Sequence, residues 1–134
     1  MSAAPVEVLV VGAGPSALFA AIELAHHGVR PRVVERERQP HRQAQATALQ
    51  PGTLEILARA GVLDEVLAAS VHLPFARVFD AHLELVSEIE FAGAGCEWEF
   101  QCSLPQWRTE QILTERLAEF GVAVERGVVA SPSP

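Results

Sequence analysis

Gly12-Ala13-Gly14-Pro15-Ser16-Ala17 has the spacing G-x-G-x-x-A, and what flanks it leaves few ways for this chain to fold. Pro5 to Gly12 precedes it as an expected strand. Val6, Val8, Leu9, Val10 and Val11 make a nearly continuous apolar run, the pattern of a strand covered on both faces. Pro15 to His27 follows it as an expected helix, with Leu18, Ile22 and Ala25 at helical spacing and a proline where the first turn tolerates one. Gly28 is placed to stop that helix, and Arg32-Val33-Val34-Glu35 reads as a second short strand. A strand, a helix and a strand in so short a span require a right-handed crossover and parallel pairing.

In that setting each motif residue has a physical task. Gly12 permits the tight turn, and Gly14, lacking a side chain, lets a diphosphate approach the backbone. Ala17 is small enough for the helix to pack on the strand. Pro15 and Ser16 open the helix, whose first-turn N–H groups and dipole attract an anion. Glu35 ends the second strand about 20 residues past the glycines, where a carboxylate accepts both hydroxyls of an adenosine ribose and repels a 2′-phosphate. The motif therefore points to an ADP-containing dinucleotide and does not by itself choose FAD over NAD.

Composition narrows the field further. The chain has 134 residues and a net charge of −7, so it is expected to hold one domain without the broad basic surface that nucleic acid rewards. Hydrophobic residues make up 49%, enough for a packed core, yet no apolar run reaches the roughly 18 residues of a membrane span. All ten basic residues are arginine. Met1-Ser2-Ala3-Ala4-Pro5 lacks the basic start of a secretory signal, and two cysteines spaced C-x5-C suit a reducing cytoplasm rather than a zinc site. The five histidines include no H-x-x-x-H or H-E-x-x-H, so no metal site is expected. Ser16 lies in no G-x-S-x-G elbow. The acidic stretch of Glu84, Glu88, Glu90, Glu97 and Glu99 reads as a solvated face, and Trp98 and Trp107 as core or interface residues.

Beyond Glu35 the signals are weaker. Arg36 to Gln50 reads as a loop with a helical turn near Gln43–Ala48. Thr53 to Ala60 is an expected helix with Leu54, Ile56 and Leu57 inward, stopped by Gly61. Leu63 to Ala69 is another, capped by or near Asp64. Arg77–Asp80 and Glu84–Phe91 read as antiparallel strands joined by a turn around His82. Gly93 to Gly95 is a loop. Trp107 to Phe120 is a helix with Leu113, Leu117 and Phe120 on one face and Gly121 as its stop, and Val122 to Glu125 is a last strand. Ser131 to Pro134 is expected to fray.

Three stretches together carry a resemblance. VLVVGAGPSALFAAIEL, VVERERQPHRQAQATALQPGTLEIL and LPQWRTEQILTERLAEFGVAVERG resemble the FAD-binding region of class A flavoprotein monooxygenases, the para-hydroxybenzoate and phenol hydroxylase type, over about Val6 to Gly127. The resemblance implies an α/β, Rossmann-like FAD/NAD(P)-binding domain with a parallel sheet and a small antiparallel insertion. The expected layout is a domain over 1–130, truncated relative to the family, with the insertion at about 75–104 and a tail at 131–134. It implies that Gly12, Gly14, Pro15, Ser16 and Ala17 lie along the FAD diphosphate, that Glu35 holds the adenosine ribose and that Arg36 lies beside the adenine. The Gln43 to Ala48 loop, Gln45 and Ala46 included, would pass the ribityl chain and flavin edge, and Gln106 would bond the ribityl or diphosphate region. The family usually has Gly at the position of Ala17, Arg at that of Gln45 and often Arg at that of Gly52. Arg42 is the cation nearest to standing in for the missing one. Arg108 is a substrate-side or surface residue.

The family reaction uses NAD(P)H to reduce the flavin and oxygen to hydroxylate an aromatic substrate. The cofactor carries that chemistry, so no side chain is nominated as general acid or base. The expected partners are FAD, a small aromatic substrate and either a second copy or a complementing C-terminal portion, in the cytoplasm, with neither nucleic acid nor membrane. The length matches only the N-terminal third or so of such enzymes, and the isolated chain is expected to bind rather than turn over. Two alternatives stay open, a stand-alone dinucleotide-binding module and a degenerate Rossmann unit acting as an interaction protein.

Overall fold

A computed structural model describes residues 6–40, 42 and 47–131. The chain divides into two units, residues 1–44 with 106–134, and residues 45–105.

The first unit is built on three parallel strands in the order β1 (Leu9–Val11), β2 (Arg32–Glu35) and β8 (Val124–Arg126). Helix α1 (Pro15–His26) crosses from β1 to β2 and packs against helix α4 (Gln106–Glu119), which leads into β8. Leu18, Ala21 and Ile22 of α1 and Ile112, Leu113 and Leu117 of α4 are buried, as are Val33 and Val34 of β2. Removing apolar area at this density is what stabilises so small a unit, at about 25 cal/mol per Å².

Helix α1 ends where a glycine allows it to. Gly28 has φ +79, its N–H donates to Ala25 O at 3.0 Å, and the Val29 N–H donates to Leu24 O at 2.9 Å. These are the two bonds of a Schellman cap, which satisfy carbonyls the last turn would orphan. Helix α2 (Pro51–Ala60) closes in the same way at Gly61 and α4 at Gly121, each followed by a buried valine, Val62 and Val122. On β1, Leu9 and Val11 remain 50% and 63% exposed, although strands of parallel sheets are ordinarily covered on both faces.

The second unit holds α2, α3 (Leu63–Ala69), a sheet in the order β3 (Ala48–Leu49), β7 (Gln101–Ser103), β4 (Val71–Leu73), and a hairpin of β5 (Phe75–Phe79) and β6 (Leu85–Glu90). Both neighbours pair antiparallel to β7, which buries Cys102 completely. Cys96 and Cys102 are free thiols. In the hairpin turn, the Asp80 carboxylate accepts the N–H groups of His82 and Glu84 at 2.8 and 2.9 Å. Every residue of β6 is exposed, and Glu88 pairs across the hairpin with Arg77.

The structure departs from the sequence pattern in several places. The first strand is three residues long rather than the whole of Pro5 to Gly12, and Pro5 lies outside the described residues. α1 ends at His26, one residue early, because His27 is already the cap. Ala48–Leu49, expected as loop, is strand β3, while Gln43 to Ala46 lie outside the described residues. α2 starts at Pro51 rather than Thr53 and faces inward through Pro51, Leu54, Leu57 and Ala60. Ile56, expected inward, is 41% exposed, two residues and about 200° around the helix from Leu54. α3 is preceded by Val62 with no side-chain cap. Asp64 instead sits in its first turn, where a carboxylate favours the dipole. β5 starts at Phe75, two residues before the expected strand, and β6 is shorter at both ends than Glu84 to Phe91. The hairpin sets its own pairing, Phe75 with Glu90, and Phe91 turns inward. Strands β4 and β7 carried no periodic signal. α4 starts at Gln106 and β8 runs to Arg126, each shifted by a residue or two from the sequence pattern.

Candidate functional site

The glycine loop and the end of β2 are tied together by the backbone. Gly12 has φ +108, a conformation that side chains resist, and its N–H donates to Val34 O at 2.8 Å. The next N–H, of Ala13, donates to the Glu35 carboxylate at 2.8 Å, and the other carboxylate oxygen accepts the Glu37 N–H at 2.9 Å. Glu35 is thus pinned at both oxygens with lone pairs to spare, since an ionised carboxylate has about four acceptor sites.

Gly14 caps α1 from an extended conformation, φ −75 and ψ 171, with no side chain to satisfy the first turn. Pro15 has no N–H, so the donors left facing outward are those of Ser16 and Ala17. A Cβ built on Gly14 would meet nothing within 4 Å. The structure therefore offers open space in front of a helix N-terminus, the cradle an anion needs.

The charge on Glu35 is supported. Its pKa is lowered from the ordinary glutamate value, first by the Glu37 N–H, then by the Ala13 N–H and the charges of Arg126 and Arg36, against partial burial that raises it. A folded pKa below the unfolded one means the carboxylate stabilises the fold above the unfolded value and loses that contribution as pH falls through the folded one. Wild-type chain is accordingly expected to lose more stability than Glu35→Gln when urea denaturation is followed from neutral pH into the acid range. Parallel curves for the two would count against the ties to Ala13 and Glu37.

The remaining expected site residues fall in different places. Arg36 is next to Glu35, largely exposed, with its Nε 3.4 Å from Glu37. Arg42 lines a cavity of about 480 Å³ with Gln39, Trp107, Glu110, Gln111 and Arg126. Gln106 opens α4, and its Nε2 donates to Glu110 at 2.8 Å. Gln45 and Ala46 lie outside the described residues. Arg108 donates to Gln111 Oε1 at 2.9 Å, one turn further along α4. Among the described residues no group of His, Cys, Asp and Glu could hold a metal ion.

Three further groups contribute to the site. Arg126 is the register partner of Glu35 across β2 and β8. The Val128 N–H donates to Glu35 O at 3.0 Å, and Ala13 supplies the donor to the carboxylate. The signal for Arg126 is its place at the end of a third parallel strand, which is visible only once that strand is set beside β2.

A parallel sheet, a glycine turn at the C-terminal end of its first strand and an ionised acid at the end of the next define a dinucleotide-binding protein. The chain belongs to the FAD binding domain family, whose model matches residues 5–130. It is 33% identical over 129 residues to rifampicin monooxygenase of Streptomyces venezuelae, covering 90% of this chain and 25% of that protein. It superimposes with TM-score 0.83 and 28% identity on p-nitrophenol 4-monooxygenase PnpA from Pseudomonas putida DLL-E4, over 90% of this chain and 31% of that one. The flavin-dependent monooxygenase PieE, solved in complex with FAD and substrate, matches with TM-score 0.75 and 28% identity over 91% of this chain and 24% of its own. The chain spans about a quarter of the length of the curated relatives it matches. The residues of this turn and strand end fit the ADP half of FAD: open space at Gly14, outward donors on Ser16 and Ala17, and a pinned, ionised Glu35.

Proposed function

We propose that this chain is the FAD-binding N-terminal part of a monooxygenase that hydroxylates a small aromatic substrate with NAD(P)H and oxygen. The observation that carries the reading is the bond from Ala13 N–H to Glu35, which locks the diphosphate turn and the ribose acceptor into one rigid piece. Gly12, Gly14, Pro15, Ser16 and Ala17 hold the diphosphate. Glu35 takes the ribose diol and Arg36 lies beside the adenine. Arg42, Gln45, Ala46 and Gln106 serve the ribityl side. When bound, FAD supplies the redox chemistry. The chain's own residues bind it, orient it and keep Glu35 deprotonated. Exposed Leu9 and Val11 on the sheet suit cover by a complementing portion of the enzyme. The acidic composition and free thiols suit the cytoplasm, and no helix among the described residues is long and apolar enough to cross a membrane.

FAD and FMN titrations, followed by quenching of flavin fluorescence, test this reading, because FMN lacks the adenosine that Glu35 would hold. Hydrogen bonds to a charged group contribute about 1.5–3 kcal/mol, so Glu35→Ala is expected to weaken FAD roughly 10- to 100-fold and to leave FMN unchanged. Glu88→Ala, on the hairpin, is the control. Equal losses from the two substitutions, or equal losses for FAD and FMN, would overturn the ribose assignment.

A further inference from the structure

Glu35 does not stand alone at the end of the sheet. Its register partner on the neighbouring parallel strand is Arg126, so the two side chains leave the sheet on the same face. Arg126 is half-buried and, among the described residues, makes no hydrogen bond or ion pair of its own. Another nearby cation, Arg36, is largely exposed and already paired with Glu37. Arg126 also opens into the cavity of about 480 Å³ that Arg42, Gln39 and Trp107 line. A guanidinium whose forked donors have no hydrogen-bond partner among the described residues, set beside the ribose acceptor and backed by open volume, is the geometry that receives a phosphate.

We propose that Arg126 is a specificity-determining residue of the nucleotide site: it is the cation a ribose 2′-phosphate would reach, and Glu35 beside it is the group that keeps such a phosphate out. The inference rests on the FAD-binding reading, because it assumes that the adenosine ribose lies at Glu35. A carboxylate at this position selects the free diol and an arginine nearby accommodates the phosphorylated ribose. This site holds both, so its preference depends on the carboxylate's charge and the phosphate-accepting partner is already in place. Arg42, further along the same cavity, offers a second guanidinium to the same phosphate.

The experiment uses the full chain with ADP-ribose and 2′-phospho-ADP-ribose, which differ by one phosphate, in calorimetric titrations. Wild type is expected to prefer ADP-ribose at least about 10-fold. Glu35→Gln removes the repulsion and is expected to raise affinity for the phosphorylated ligand about 10-fold while lowering that for ADP-ribose. Glu35→Gln combined with Arg126→Met is expected to lose that gain, and combined with Arg126→Lys to keep part of it. A purely structural role for Arg126 would weaken both ligands alike and leave their ratio unmoved. Thermal melts confirm that each variant folds, and Arg126→Gln replaces Arg126→Met if the latter does not. A double variant that keeps the full gain, or a Glu35→Gln variant with no gain, overturns the proposal. A wild type that binds neither ADP-ribose nor FAD overturns the FAD-binding reading itself and this inference with it.

Discussion

Gly14→Val is expected to leave the chain folded and to abolish its nucleotide binding. Nothing inside the protein requires glycine at this position. Its φ of −75 and ψ of 171 are open to any residue, and a Cβ there would touch nothing within 4 Å. The requirement is external, since a branched side chain would stand in the space a diphosphate must enter. Valine is a poorer helix cap than glycine, which costs about 1 kcal/mol at most and a few degrees in melting temperature. Affinity for FAD should fall at least about 100-fold, because the diphosphate loses its approach to the first-turn donors. Gly12→Val should differ in its effect on the fold. There the space is also open, but φ +108 imposes backbone strain of about 1–3 kcal/mol, so stability falls along with binding. Melting temperatures and FAD titrations on the two variants separate the cases. A Gly14→Val chain that still binds FAD within threefold of wild type would remove the diphosphate from this turn.

Leu18→Ala is expected to cost about 2–5 kcal/mol, against a total of about 5–15 kcal/mol for a typical domain. Leu18 is fully buried on α1, the helix that packs against α4 and is capped by Gly14 at its start. Losing its methyl groups leaves a cavity in the core of the first unit. Because Leu18 is only four residues past Gly14, the loosening should also raise the concentration of FAD needed for half-saturation. Ile56→Ala is the contrast. Ile56 is 41% exposed, so its loss should cost under about 1 kcal/mol. Urea denaturation distinguishes the two, and a Leu18→Ala midpoint matching that of Ile56→Ala would show that burial of Leu18 does not stabilise the unit.

These two residues also show what was readable beforehand and why. Leu18 and Ile22 sit four apart on a helix opened by a proline and closed by Gly28, so pattern, start and stop agree. β2 was readable because Val33 and Val34 are flanked by charged residues at both ends. Ile56 departs from the expected face because Leu54, Ile56 and Leu57 cannot all share one face, and the helix buries the spacing of three that joins Pro51, Leu54, Leu57 and Ala60. β7 was invisible for a different reason. Gln101-Cys102-Ser103 is polar in two of three places and gains its burial only from the strands on either side. The same logic divides the site. Gly12, Gly14 and Glu35 belong to one local unit with a known spacing, whereas Arg126 joins Glu35 through a strand pairing that spans 91 positions.

That pairing sets an order of assembly during synthesis. The turn and its acid are both made by residue 35, and the bonds between them, from Gly12 to Val34 and from Ala13 to Glu35, need nothing later. The strand that completes the sheet emerges only after the whole of the second unit has left the ribosome. At about 5–20 residues per second, the nascent chain spends roughly 5–20 s with an ionised Glu35 and no Arg126 beside it. Through that interval α1 also lacks α4, the helix it packs against in the finished unit.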